Sequence, residues 1–142
     1  MRLPAYPLIT ADPFFSIWSP TDRLYDSDTV LWCGIKKRIS GYITVDSEKF
    51  RFMGTGRTAI IDQKEVIVKP YTTEYIFEND KVRLCVTFWT PLLLDDLYML
   101  SLPCSFIDYS VEILDSLSHR VSVSLCVHEE FCYDGRRKNV VF

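Results

Sequence analysis

A chain of 142 residues with 48% hydrophobic and 14% aromatic side chains has the length of one domain, or of part of a larger one, and enough apolar mass for a packed core. Its formal net charge of −3 leaves no electrostatic footprint for nucleic acid, and no apolar run approaches the roughly 20 residues of a membrane helix. Five cysteines, an odd number at irregular spacing, do not make a disulfide framework, and the proline-broken start MRLPAYPLIT lacks the apolar stretch of a secretory signal, so a reducing cytoplasm is expected.

The opening, PLITADPFFSIWSP from Pro7 to Pro20 and DRLYDSDTVLWCG from Asp22 to Gly34, mixes aromatic anchors with short carboxylates. It lacks the clean alternation of an ordinary strand. Such a segment docks on another surface or lines a cleft, and it defines a first unit over 1–38. Its candidates for a cleft or an interdomain contact are Asp12, Trp18, Asp26, Asp28 and Trp32. Asp12 precedes Pro13, a turn-starting pair, so its plain role is a local backbone hydrogen bond. The basic run Lys36-Lys37-Arg38 and the run Arg136-Arg137-Lys138 read as solvated turns.

From Ile39 the period becomes two, and the second unit, 39–142, reads as the scaffold. Ile39, Gly41, Ile43 and Val45 share one face, Asp46-Ser47-Glu48 turns the chain, and Lys49 to Met53 return. A second hairpin joins Thr72–Phe77 to Val82–Trp89 through Glu78-Asn79-Asp80, and Thr90-Pro91 ends it. Leu92–Leu102 reads as a short strand or one helical turn, with Asp96 rather than an acid/base pair of Asp95 and Asp96 as its cap. Phe106–Ile113 and Val121–Val127 read as a third hairpin around Asp115-Ser116-Leu117-Ser118. Successive strands with polar turns predict an all-β, antiparallel β-sandwich with little helix. The strand-like end Asn139–Phe142 leaves that sandwich incomplete, so it pairs elsewhere or the chain is the front of something longer.

Chemistry-bearing clusters are sparse. His119, directly after a turn and beside Arg120, reads as solvent-exposed. Cys126, His128, Glu130 and Cys132 share one face of an extended strand, but their outer pair would lie roughly 20 Å apart, too far for one zinc ion. The plain reading makes Cys126 a small buried filler and leaves Glu129 and Glu130 in solvent. No metal, cofactor or catalytic residue is assigned, and neither a G-x-S-x-G elbow nor a glycine-rich phosphate loop is present.

The blocks PLITADPFFSIWSP, LYDSDTVLWCG, ISGYITVDSEKFRFMG, TTEYIF, VRLCVTFWTPLLLDDL and SVEILDSLSHRVSVSL occur here in one order, from about Pro4 to about Glu130. That order resembles the N-terminal region of the large microbial glutaminases, the glutaminase A-like family. The resemblance implies a supersandwich-like β-domain placed ahead of an α/α-barrel, and a parent activity that hydrolyses L-glutamine to L-glutamate and ammonia. It also implies that the 142 residues alone are catalytically silent, because the helical barrel that would hold most of the cleft lies outside them. The expected partner is that helical domain or a second copy of the chain, with no nucleic acid and no membrane. Two other classes fit the same pattern, an accessory sandwich of a carbohydrate-active enzyme and a self-associating structural β-domain.

Overall fold

The computed structural model describes residues 3–132. The opening, which lacks the clean alternation of an ordinary strand, nevertheless forms strands. Strands β1 (Tyr6–Asp12) and β2 (Phe15–Ser19) form an antiparallel hairpin, and β3 (Val30–Leu31) pairs with β2. The alternation is hidden because the register shifts twice, between Pro7 and Ile9 and between Thr10 and Asp12. Each irregularity moves the next side chain to the other face, so the adjacent Leu8 and Ile9 are both buried. Asp12 Oδ1 closes the turn by accepting from the amides of Phe14 and Phe15, at 2.7 and 3.0 Å, which is the local role expected of it.

The next hairpin is as expected. Strands β4 (Ile39–Val45) and β5 (Glu48–Met53) are joined by Asp46 and Ser47, both at positive φ (49° and 76°). That is the backbone hand that matches the strand twist in a two-residue loop. The chain then covers the outer edge of β5: the Arg51 amide donates to Ala59 O, and the Ile61 amide donates to Arg51 O. Strand β6 (Asp62–Val68) has no counterpart in the sequence reading, because its first half, Asp-Gln-Lys-Glu, is polar on both faces and carries an irregularity between Gln63 and Glu65.

Strands β7 (Thr72–Glu78) and β8 (Val82–Trp89) pair in unbroken register from Thr72–Trp89 to Glu78–Arg83, as expected. Asn79 Oδ1 accepts from the amides of Lys81 and Val82 to hold their turn. Tyr75, Phe77, Val82, Leu84, Val86 and Phe88 face inward and are essentially removed from solvent. The helical alternative holds for Leu92–Leu102: α1 (Leu97–Ser101) is one short helix, and Asp96 Oδ1 accepts from Met99 N at 3.0 Å as its cap.

The third hairpin is corrected. Strands β9 (Phe106–Ile113) and β10 (Val121–Val127) do not pair with each other: β9 pairs with β8, and β10 pairs with β4 in the opposite sheet. Residues 114–120 are therefore a crossover between layers. Local alternation reveals a strand and not its neighbour, which is decided by long-range burial.

Among the described residues the sheets run β1-β2-β3, β10-β4-β5 and β6-β7-β8-β9, all antiparallel, without closing a barrel. Their inner faces share one apolar core, in which Ile17, Leu24, Ile43, Phe52, Tyr75 and Phe88 are fully buried. The expected all-β, antiparallel sandwich is what the chain forms. A 3-10 turn at Glu129–Cys132 follows β10. The strand-like end Asn139–Phe142 and the run Arg136–Lys138 lie outside the described residues.

Candidate functional site

The end of β8 and the start of β1 create a groove of about 380 Å³. Proline shapes two of its walls: Pro91 stops β8, and Pro70 sits in the β6–β7 turn, which Lys69 N closes onto Thr72 O at 2.8 Å. The Thr10 amide donates to Thr90 Oγ1 at 3.2 Å, and Thr90 Oγ1 lies 2.7 Å from Ser105 Oγ, so β1 is held against the end of β8. Trp18, Tyr71 and Trp89 supply rings, and Thr72 and Thr73 line the same wall. The Trp18 indole donates to Ser16 Oγ at 2.7 Å, and the Trp89 indole donates to Asp108 Oδ2 at 2.6 Å while stacking on Phe106 with centroids 4.5 Å apart.

Among the described residues the only charged side chain lining this groove is Lys69, which pairs with Glu74 at 3.3 Å. No carboxylate, imidazole or thiol lines it among the described residues. The described lining residues offer flat rings and hydroxyls, the chemistry of a contact surface.

Leu92, Leu100 and Leu102 continue from the groove onto a ledge around α1. No residue of α1 is buried, although its sequence is Leu-Tyr-Met-Leu-Ser, and Leu97 is 76% exposed. Leu93, Leu94 and Tyr98 are exposed beside it. A contiguous run of bare leucines is the signature of a surface that something covers. The sequence reading did not single out this ledge as a contact surface, although Leu-Leu-Leu-Asp-Asp-Leu-Tyr-Met-Leu, with one of its two carboxylates spent as a helix cap, carried the signal.

The five candidates of the opening segment occupy four places. Trp18 lines the groove. Asp12 and Trp32 meet at the β1–β2 turn, where Asp12 holds the loop and the exposed Trp32 indole donates to Pro13 O at 2.9 Å. Asp26 is exposed, its amide bonded to Arg23 O. Asp28 is buried and accepts from Lys36 Nζ at 3.0 Å and Thr55 Oγ1 at 2.6 Å. Burial raises the Asp28 carboxyl, but the hydrogen bonds from Thr55 and Lys36 outweigh it and hold the group below its ordinary value.

Several plain readings are corrected. The run Lys36-Lys37-Arg38 is a set of staples: Lys36 holds Asp28, Lys37 Nζ donates to Glu130 O at 2.6 Å, and Arg38 grips the Glu130 carboxylate through two nitrogens. Glu130 is thus engaged rather than left in solvent, and the Arg38 hydrogen bond lowers its pKa despite some burial. Cys126 is exposed and fills no core position. His128 leaves the strand face and lies 3.2 Å from Ser40 Oγ. Among the described residues no group of His, Cys, Asp and Glu side chains is placed to hold a metal ion.

His119 is corrected too, since its side chain is only 5% exposed. Its Nδ1 meets Asp46 Oδ2, and its Nε2 lies 2.8 and 2.9 Å from the two oxygens of Asp115. Hydrogen bonds first to Asp46 and then to Asp115 raise its pKa, because two carboxylates facing both ring nitrogens favour the doubly protonated ring. This cluster ties the β4–β5 turn to the crossover and belongs to the scaffold.

Two family models match the chain. One, described as "Domain of unknown function (DUF4964)", covers residues 1–62. The other, described as "Domain of unknown function (DUF5127)", covers residues 72–142, half of the chain. The chain belongs to the DUF5127 family. Within it, β7 to β10 and the α1 ledge are the part of the fold that the family match contains. The protein named "Glutaminase A" of Aspergillus oryzae (strain ATCC 42149 / RIB 40) is 28% identical over 144 residues. That similarity takes in 95% of this chain and bears out the resemblance to the glutaminase A-like proteins. The chain spans about a fifth (21%) of that relative's length. No solved structure matches it. No helix among the described residues is long and apolar enough to cross a membrane.

Proposed function

We propose that this DUF5127 chain is the noncatalytic β-sandwich domain of a glutaminase-like protein, one that hydrolyses L-glutamine to L-glutamate and ammonia through a helical domain outside these residues. The observation that carries the reading is the glutaminase A similarity, which takes in 95% of this chain but 21% of the relative. The groove and the α1 ledge support it, because their described residues offer rings, hydroxyls and bare leucines. In this reading the opening segment, 1–38, carried on the 39–142 scaffold, helps to shape the cleft of the helical domain, with Trp18 in the groove and the exposed Asp12, Asp26 and Trp32 as separate candidate contacts, while Asp28 is held inside by Lys36 and Thr55. The five cysteines are all free, which supports a cytoplasmic protein.

The reading is tested by ammonia release from L-glutamine. The purified 142-residue chain releases none, while the polypeptide that continues in frame beyond Phe142 does. Turnover by the 142-residue chain, lost on Asp12→Ala or His128→Ala, overturns it.

A further inference from the structure

Each sheet of a sandwich has two edges, and an edge strand presents unpaired amides and carbonyls unless something guards it. The four edges of the sheets β10-β4-β5 and β6-β7-β8-β9 have different fates. The edge at β5 is covered by residues 59–61, through Arg51 N to Ala59 O and Ile61 N to Arg51 O. The edge at β6 carries Asp62, Lys64 and Glu65, with Lys64 paired to Asp62 at 2.8 Å. Charged side chains of this kind discourage a further strand.

The other side of the sandwich is different. Strands β9 and β10 are the last in their sheets, with no further strand on either among the described residues. Val121-Ser122-Val123-Ser124-Leu125-Cys126-Val127 contains neither a charge nor a proline nor an irregularity in its seven-residue register with β4. In β9 the two carboxylates are turned to use inside the sheet: Asp108 accepts from the Trp89 indole, and Glu112 accepts from Arg83 at 2.8 Å. The inward residues of these strands, Ile107, Val111, Val121 and Val123, pack on the core and yet stay half-buried. The core is open along this seam, whereas the central strands β7 and β8 bury theirs completely.

We propose that the outer edges of β9 and β10 accept further β-strands, one on each sheet, supplied by the adjoining polypeptide of the longer glutaminase-like protein. The inference rests on the reading above and deepens it by naming where that polypeptide attaches. The occupant follows from the arithmetic of the similarity: the relative is about five times the length of the stretch that matches. The edges select an extended, uncharged segment with apolar residues at every second position, because Ile107, Val111, Val121 and Val123 need partners on the core side. Main-chain hydrogen bonds supply the attachment, and the new inward side chains close the core.

Amide hydrogen exchange, read by mass spectrometry, tests this on the 142-residue chain and on the longer polypeptide encoded in frame beyond Phe142. The amides of β9 and β10 that point away from β8 and β4 are expected to exchange at least about 100-fold more slowly in the longer protein. The amides of β7 and β8 serve as the reference and stay equally protected in both. Equal exchange at β9 and β10 in the two proteins overturns the inference. A longer protein that hydrolyses glutamine while these edges exchange freely refutes the strand addition alone. Protected edges in a protein without glutaminase activity refute the functional reading and uphold this one.

Discussion

The ring of Phe52 lies directly over Gly41 on the neighbouring strand, so that a Cβ at Gly41 would overlap its Cε2 and Cζ atoms. Both residues are in the same hairpin, where the irregularity between Gly41 and Tyr42 lets the ring settle on the bare backbone. Phe52 is fully buried and rests 5.6 Å from Phe77 across the core, so it has no room to retreat. Gly41→Ala is therefore expected to cost about 1–3 kcal/mol, the usual price of overpacking a filled core. Urea unfolding checks this, through a lower midpoint at unchanged slope.

The placement of His119 between Asp46 and Asp115 makes stability depend on pH from both sides. The His119 pKa is raised above 6.5, so its contribution is complete below that value and is lost as pH rises through the folded-state pKa. Asp46 is lowered from 3.8, chiefly by His119, and Asp115 is lowered from 3.8, chiefly by the Leu117 amide. Their contributions are complete above 3.8 and are lost as pH falls through the lowered values. The cluster thus contributes fully between 3.8 and 6.5. Thermal melts of the wild type and His119→Gln across pH 3 to 9 are expected to converge at the alkaline end, the wild type being the more stable inside that window.

Arg51 is a buried cation whose guanidinium serves backbone carbonyls. It donates to Tyr25 O at 2.9 Å, to Gly56 O at 3.1 Å and to Gly54 O, and thereby fastens the opening segment to the loop after β5. Arg51→Met removes donors from the buried Tyr25 and Gly54 carbonyls, and each unsatisfied buried group costs about 1–3 kcal/mol. A loss of about 3 kcal/mol is expected, and Arg51→Lys is expected to recover only a minor part, since a single ammonium does not reproduce the planar fork. Denaturant melts of the two variants decide it.

How far the fold could be read in advance follows from where burial is local. In β7 and β8, Tyr75, Phe77, Leu84 and Val86 alternate without a break, and the period alone places them. In β1 the register irregularity between Pro7 and Ile9 leaves the adjacent Leu8 and Ile9 both buried, and no periodic template matches them. Strand β6 escaped because Lys64 and Glu65 guard an edge, and edge residues answer to solvent and not to the core. The groove was half legible: Trp18 stood out by type, whereas Trp89 and Tyr71 reach it only through the packing of β1 against the end of β8. His119 looked exposed because its enclosure comes from Asp46, 73 residues earlier in the chain.

The α1 ledge offers the cleanest separation of folding from docking. Leu94 and Leu97 are exposed and lie outside the core, so Leu94→Glu with Leu97→Glu is expected to leave stability within about 0.5 kcal/mol of the wild type. If the ledge packs on the adjoining helical domain as proposed, the same pair lowers the thermal stability and the glutamine turnover of the longer protein. Parallel melts of the short and long chains, with and without the substitutions, show whether the loss is confined to the long one.

The most direct test of the central claim is an ammonia-release assay on L-glutamine with the 142-residue chain and the in-frame longer polypeptide side by side. The account predicts turnover by the longer protein and none above background by the 142 residues at any pH between 5 and 9. Glutamine hydrolysis by the 142-residue chain, or a longer protein that is folded and inert toward glutamine, would contradict it.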